Sequence, residues 1–149
     1  MTKLTGLVPG LALALAACAA DAPSSVEQRA FAGPGIASGA WRVTHVDGAR
    51  ITRDDVFVAI VDDAVVGGFD GCNAWGADEI DGKRVIVSDA MACPGDPLVA
   101  AMADIQVTDP AAVTLELRDA TSPAPMLVIT GAQHSFLATY APELMSQPD

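Results

Sequence analysis

The stretch that decides the fold is GGFDGCNAWGADEIDG, residues 67–82, followed by SDAMACPGD, residues 88–96. The first stretch ends in Asp81-Gly82. Aspartate-glycine is among the strongest signals for a two-residue β-hairpin turn, because both residues can take a positive φ. The sequence therefore predicts a hairpin in which residues 74–80 pair with residues 84–88.

Two cysteines flank this hairpin. With a two-residue turn, Ile80 faces Lys83. The same register places Cys72 opposite Met91, and Cys93 lies two residues farther along on the same face. Diagonal neighbours lie about 7–8 Å apart, whereas the Cβ atoms of a disulfide lie about 3.8 Å apart. A bulge or strand end could close that gap, so we predict a structural disulfide between Cys72 and Cys93.

A metal site and a reactive thiol are the alternatives for these cysteines. The chain has only two histidines, His45 and His134, and neither the C-x₂-C nor the H-x₃-H spacing of a zinc site. A nucleophilic Cys72 needs a base within hydrogen-bonding range, and its sequence neighbours supply none. Residues 78–82 lack the ligand order of a calcium loop. We expect no metal ion, no cofactor and no catalytic residue.

Residues 1–17 resemble a bacterial lipoprotein signal peptide. Residues 7–17 form an uncharged apolar run, which is shorter than the roughly 20 residues of a membrane span but fits an export signal. The run ends in Leu15-Ala-Ala-Cys18, similar to a lipobox, whose cysteine becomes the first residue of the mature chain and carries the lipids. The resemblance implies lipidation of Cys18 and a periplasm-facing anchor. Because Ala19 follows, it also implies the outer membrane.

The rest of the chain divides into a tether, one domain and a tail. Residues 18–40 are rich in Ala, Pro, Ser and Gly and show no sustained period, which predicts a flexible tether. Residues 41–140 suffice for one modest core, and residues 141–149 are predicted to fray. Outside the cytosol two nearby thiols tend to oxidise. With Cys18 used by lipid, Cys72 and Cys93 remain as an even pair.

The charge of the chain excludes some classes of binding partner. The formal net charge is −11, and the carboxylates are scattered along the sequence rather than clustered in blocks. Nucleic acids and anionic lipid surfaces select Lys/Arg clusters. We therefore expect no nucleic-acid partner, and a monomer that meets the membrane through its lipid anchor.

Short apolar runs between turn signals predict the other strands. These strands are residues 41–46, 56–61, 64–69, 113–118, 126–130 and 134–140. One segment is helical, since Asp96 is a favourable N-cap and Pro97 suits the first helical position. The apolar face of this helix consists of Leu98, Ala101, Met102 and Ile105. The fold class is mainly β (α+β): a strongly curved antiparallel sheet or partly open barrel of seven or eight short strands with one short helix.

The motif around the two cysteines resembles the META domain, the HslJ-like heat-shock family. The residues that carry the resemblance are Gly71, Cys72, Asn73, Trp75, Gly76, Met91, Ala92 and Cys93. It covers about residues 41–140, with Asp89 standing where the family usually has threonine, and Asp78 and Glu79 where an aromatic residue often follows. The resemblance implies a small β-rich fold with one helix, no catalytic residues, and a link to heat shock and envelope stress.

Three motif residues also have interpretations of their own. Gly71 permits a positive φ or a close backbone approach, the Asn73 side chain can bond to neighbouring main-chain groups, and Trp75 is expected to pack in the core.

The expected function is a lipid-anchored periplasmic binding module, non-catalytic and stress-related. Its partner is an unknown envelope protein or small ligand. The alternatives are a small-ligand or lipid carrier with a cavity in the curved sheet and, third, an enzyme.

Overall fold

The computed structural model of the protein describes residues 35–89 and 92–146. Its strands are β1 Gly39–Val46, β2 Ala49–Arg50, β3 Phe57–Val61, β4 Ala64–Phe69, β5 Ala74–Ile80, β6 Lys83–Ser88, β7 Thr114–Arg118, β8 Met126–Thr130 and β9 Ser135–Tyr140. Helix α1 spans Pro97–Met102, and 3₁₀ turns span Ala103–Ile105, Pro110–Ala112 and Pro142–Ser146. Every predicted strand is present within two residues of its expected bounds, and β2 is additional.

All the strands belong to one antiparallel sheet. Its order is β6-β5-β4-β3-β1-β9-β8-β7, and β2 pairs with β1. The pairing of β1 with β9, for example Trp41 with Tyr140, joins the first half of the domain to the last. The sheet is curved but not closed, and β6 and β7 form its two edges. The predicted fold class, a curved antiparallel sheet with one short helix, is confirmed.

Aspartates make the tight turns of the sheet. Asp81 and Gly82 have φ values of +53° and +73°, as a two-residue hairpin of the predicted type requires. The β3–β4 turn uses Asp62 and Asp63 at +49° and +58°, a conformation that aspartate tolerates better than most residues. These turns fix the register, and β5 pairs with β6 in the register predicted from the sequence.

The core lies on one face of the sheet, here called the inner face. Its side chains with at most 1% exposure include Trp41, Val43, Val58, Ile60, Leu127, Ile129 and Phe136. Helix α1 and the 3₁₀ turn after it cover this face with Met102 and Ile105, exposed by 0% and 1%, while Leu98 packs at the margin. Burial of each such aliphatic side chain stabilises the fold by about 1.5–3 kcal/mol. The predicted apolar face of the helix is confirmed.

The start of α1 also follows its sequence signals. Asp96 has an extended backbone, and its Oδ1 accepts a hydrogen bond of 2.9 Å from the main-chain N of Leu98. Pro97 occupies the first turn, where a missing N–H costs nothing. The helix therefore begins at the predicted N-cap.

The opposite face of the sheet, here called the outer face, is nearly flat at its centre. Ala40 pairs with Ala59, Ala59 with Gly67, and Gly67 with Gly76. A Cβ at Gly67 would lie 2.7 Å from the carbonyl oxygen of Trp75, so no other residue fits there without a shift. Beside this row the Pro142–Ser146 turn packs against β1, although the sequence assigns those residues to the tail.

Two carboxylates hold the turn between β8 and β9. Asp104 Oδ2 accepts hydrogen bonds of 2.8 Å from the main-chain N of both Gln133 and His134. Asp47 Oδ1 accepts one of 2.9 Å from the N of Ser135, and its Oδ2 lies 2.7 Å from His134 Nδ1. The bond from Gln133 is the main cause that lowers the pKa of Asp104, and the bond from Ser135 is the main cause for Asp47.

This turn predicts an acid dependence of stability. A carboxyl group whose folded-state pKa is lowered stabilises the fold above the ordinary aspartate pKa of about 3.9 and loses that contribution as the pH falls through the lowered value. We expect the thermal midpoint to fall over that acid range. The Asp104→Asn variant cannot titrate at this position, so its midpoint should fall less.

The control for this measurement is Asp54→Asn. Asp54 is exposed, and no hydrogen bond or ion pair is described for it. The control should keep the full acid dependence of the wild type. If Asp104→Asn and Asp54→Asn lost stability equally on acidification, the carboxylate at 104 would not be a source of the effect.

Candidate functional site

Cys72 and Cys93 are joined by a disulfide, as predicted, with their Cα atoms 6.3 Å apart. Among the described residues, the pairing of β5 with β6 extends as far as the hydrogen bond from Asp89 N to the carbonyl oxygen of Ala74, 3.0 Å long. Cys72 lies two residues before the start of β5. The disulfide lies beyond the end of β5. A strand end was one of the two irregularities expected to bring the cysteines within bonding distance. The disulfide ties the β4–β5 turn to the segment that leads into α1.

Gly71 satisfies the first of the two expected reasons for a glycine, a positive φ. Its φ is +96°, and a Cβ there would lie 2.9 Å from the Arg53 guanidinium. Arg53 is held in place by two hydrogen bonds to Asp55, of 3.0 and 2.8 Å. The Asp55 pKa is lowered chiefly by this contact. The positive φ of the turn therefore requires the glycine, and a Cβ there would displace the Arg53 guanidinium that lies over it.

Asp70 is the residue of this turn that the sequence analysis missed. Its side chain is only 3% exposed, and its Oδ1 accepts hydrogen bonds from the main-chain N of Cys72 and Asn73, at 2.8 and 2.7 Å. Gln106 Nε2 lies 3.4 Å from the other oxygen. Asp70 therefore makes an aspartate turn with the main chain of Cys72 and Asn73, while the main-chain bonding expected of the Asn73 side chain stays a prediction. The available signal was an aspartate two residues before the cysteine.

Of the remaining motif residues, Trp75 and Gly76 line two open depressions of about 340 and 370 Å³, and the other motif residues that the structure describes are not part of those linings. Trp75 is 6% exposed and belongs to the core, as predicted. Gly76 lies on the outer face, and Ala92 is exposed. Met91, like the lipidation candidate Cys18, lies outside the described residues. In the part of the chain that the structure describes, the motif holds a turn and a disulfide together.

The outer face carries the best candidate site, a depression of about 510 Å³ here called the outer groove. The residues that line it include His45, Glu116, Arg118, Val128 and Leu137. His45 pairs with Leu137, Leu137 with Val128, and Val128 with Glu116. Directly paired residues lie on the same face of a sheet about 4.5–5.5 Å apart. Four strands therefore present one continuous row, apolar at its centre and polar at both ends.

The hydrogen bonds of Thr44 determine which nitrogen of His45 is available. Thr44 Oγ1 donates its only hydrogen to the carbonyl oxygen of Leu137, at 3.0 Å. The same oxygen lies 3.0 Å from His45 Nδ1, so it accepts from an Nδ1–H there. Neutral His45 then carries its proton on Nδ1 and keeps the lone pair of Nε2. Among the described residues none bonds to that nitrogen.

The other end of the groove carries a cation and an anion. Arg118 Nε lies 3.4 Å from Glu116 Oε1, and both side chains are more than half exposed, at 56% and 64%. A contact of that length between exposed groups contributes little to stability, so the guanidinium remains able to bind another carboxylate. The groove thus offers an acceptor, a set of donors and an apolar floor.

Another depression is larger. It measures about 690 Å³ and lies between the β7–β8 loop, residues 120–125, and the segment from Thr139 to Glu143. Prolines and alanines make up much of its wall, with Tyr140 at one side. Both depressions are open to solvent.

The two histidines do not form a joint site. His134 lies at the β8–β9 turn against Asp47, whereas His45 lies on the outer face. Over residues 35–89 and 92–146, no three His, Cys, Asp or Glu side chains gather closely enough to hold a metal ion. In the same residues the structure shows no helix with the length and apolarity that a membrane crossing needs.

Comparisons with known proteins identify no relative. No family model, no curated protein and no solved structure matches this chain.

Proposed function

We propose that this protein is a non-catalytic binding module of the cell envelope, and that it binds its partner in the outer groove. The observation that carries the proposal is the convergence of His45, Glu116 and Arg118 on an apolar floor of Val128 and Leu137. The groove is nearly as polar as it is apolar, and a few placed polar groups beside apolar contacts are what fixes the orientation of a bound partner. The groups present are suited to recognition.

The groove favours a particular kind of partner. Arg118 supplies donors for a carboxylate, Nε2 of His45 accepts a hydrogen bond, and the floor between them takes an apolar side chain. The row from His45 to Glu116 crosses four strands that lie about 4.8 Å apart, so an extended protein segment of about four residues can span it. The carrier alternative has weaker support, because the depressions found in the described residues are open to solvent rather than enclosed.

The proposal includes the compartment and the anchor. The lipobox-like residues around Cys18 support a lipid anchor on the periplasmic side of the outer membrane. The disulfide of Cys72 and Cys93 fits an oxidising compartment. The motif that resembles the META domain supports a role in envelope stress.

Site-specific photo-crosslinking in intact cells tests the groove. A photoreactive phenylalanine analogue replaces Leu137 in the full chain, and ultraviolet light should then join the chain to its partner. His45→Ala or Arg118→Ala in the same chain should each reduce the adduct about fivefold, as expected for a lost hydrogen bond worth roughly 1 kcal/mol. Cys18→Ser should reduce the adduct if the anchor brings the module to its partner.

The matched control places the same analogue at Ala112. This residue is exposed and lies in the Pro110–Ala112 turn, away from the groove lining. It should give no specific adduct. Equal adducts at positions 112 and 137, or adducts at 137 that neither substitution reduces, would contradict binding in the groove.

A further inference from the structure

Strand β6 leaves one side of its main chain unpaired. The hydrogen bond from Asp89 N to the carbonyl oxygen of Ala74 fixes which residues of β6 bond to β5, because bonded and non-bonded pairs alternate in an antiparallel pair of strands. By that alternation, the N–H and C=O groups of Arg84, Ile86 and Ser88 point away from β5. No hydrogen bond from another described residue reaches them.

Only the first two residues of this edge, Lys83 and Arg84, carry the usual protection. Natural edge strands carry charges, prolines or bulges that discourage pairing with another chain. Residues 85–88 of β6, Val-Ile-Val-Ser, contain no charge and no proline. Val87 is 51% exposed and Ile80, near the tip of the same hairpin, is 53% exposed. Strand β4 pairs with β5 only over three residues, so most of the hairpin extends beyond the sheet and is accessible.

We propose that β6 pairs antiparallel with β6 of a second copy, forming a symmetric dimer with one continuous sheet. In the register of greatest overlap Ile86 faces Ile86 of the second copy. The main-chain groups that point away from β5 then meet each other, since Arg84 faces Ser88 of the second copy. On the outer face Val85 covers Val87 of the second copy, which buries the exposed valines.

The ends of the strand are complementary in charge. In this register Lys83 faces Asp89 of the second copy, and the symmetry makes the contact twice. Both residues are exposed, and neither is in an ion pair within the described chain. Opposite charges directly across a strand pair stabilise the pairing. A single strand that carries both partners is complementary to itself.

The other edge of the sheet does not have this property. Strand β7 carries Glu116 at its centre, and its own antiparallel pairing at greatest overlap would bring Glu116 against Glu116 of the second copy. Like charges directly opposite each other destabilise a strand pair. The edge at β6 is therefore the one suited to a second copy.

The dimer replaces the monomer expected from the sequence and is independent of the proposed function. The outer groove lies on β1, β7, β8 and β9, toward the other edge, so it stays accessible in the dimer. Two chains of charge −11 repel each other, but at physiological salt this repulsion is screened beyond about 8 Å. With a short strand as its contact, the dimer is weak and reversible.

Sedimentation equilibrium of the full chain in density-matched detergent tests the dimer. At physiological salt, the apparent mass should approach twice that of the monomer between micromolar and millimolar concentrations. Val87→Lys places a charge in the pairing surface and should give the monomer mass throughout. Val61→Lys is the matched control, since Val61 is 44% exposed on another strand, and it should dimerise like the wild type.

A charge-exchange series tests the register. Lys83→Asp or Asp89→Lys alone should weaken the dimer by about tenfold, because each leaves like charges facing each other twice. The double variant, Lys83→Asp with Asp89→Lys, should restore it. A wild type that remains monomeric at millimolar concentration would overturn the proposal. So would a dimer that survives Val87→Lys, or a double variant no tighter than the single ones.

Discussion

Replacement of Cys93 by alanine is expected to lower the free energy of unfolding by about 2–5 kcal/mol, the usual cost of losing a native disulfide in a small domain. The bond joins residues 21 positions apart, and closure of a loop of about that length stabilises a fold by roughly 3 kcal/mol in the chain-entropy model. The substitution also separates the β4–β5 turn from the segment that leads into α1. The urea midpoint of the variant measures the loss.

Two further variants sharpen this experiment. Cys72→Ala with Cys93→Ala should cost little more than Cys93→Ala, because one bond is lost in each case and the effects of contacting residues do not add. Cys18→Ala removes a cysteine outside the disulfide and should leave the midpoint unchanged. In the Cys93→Ala variant the remaining Cys72 thiol should react fully only on unfolding, since Cys72 is 5% exposed in the structure. A Cys93→Ala midpoint equal to the wild type would show that the disulfide does not stabilise the fold.

The sequence predicted the parts of the fold that local chemistry decides. Asp81-Gly82 demands a turn with two positive φ angles, so the register of β5 and β6 follows from it. Asp96 and Pro97 mark a helix start that needs no tertiary information. The disulfide could be predicted because the hairpin places Cys72 and Cys93 near each other, whatever the rest of the chain does.

The outer groove could not be predicted in that way. It exists because β1 pairs with β9, which places His45 beside Leu137 although 92 positions separate them in the sequence. The periodicity of apolar residues within either strand does not predict that pairing. The available nitrogen of His45 depends in turn on Thr44, which lies where the register of β1 and β9 shifts. Sequence patterns identified His45 as a strand residue but gave no sign of its neighbours.

Asp70 lies between these two cases. Its bonds to the main chain of Cys72 and Asn73 are local, and an aspartate that bonds main-chain groups about two residues further along is a known turn pattern. Its burial is not local, since the core and the Gln106 side chain come from other parts of the chain. A buried carboxylate that binds two main-chain N–H groups is the feature that makes the turn before β5 sensitive to substitution.

Asp70→Ala is therefore expected to destabilise the fold by about 2–4 kcal/mol, because each buried N–H left without an acceptor costs roughly 1–3 kcal/mol. The cost lies below the sum of two full penalties, since Asn73 is only half-buried and water can replace part of the loss. Asp70→Asn keeps one oxygen for these N–H groups. It also places an NH₂ donor near Gln106 Nε2, so we expect an intermediate loss of about 1 kcal/mol.

The measurement is urea unfolding of the oxidised protein, followed by the rate at which a mild reductant opens the disulfide. Because Asp70 holds the main chain at Cys72 through the bond to its N–H, 2.8 Å long, Asp70→Ala should also make reduction faster. Asp54→Ala is the control, an exposed aspartate whose loss should change neither quantity. If Asp70→Ala matched Asp54→Ala in both, the turn would be held by the disulfide alone, and the buried carboxylate would contribute nothing measurable to it.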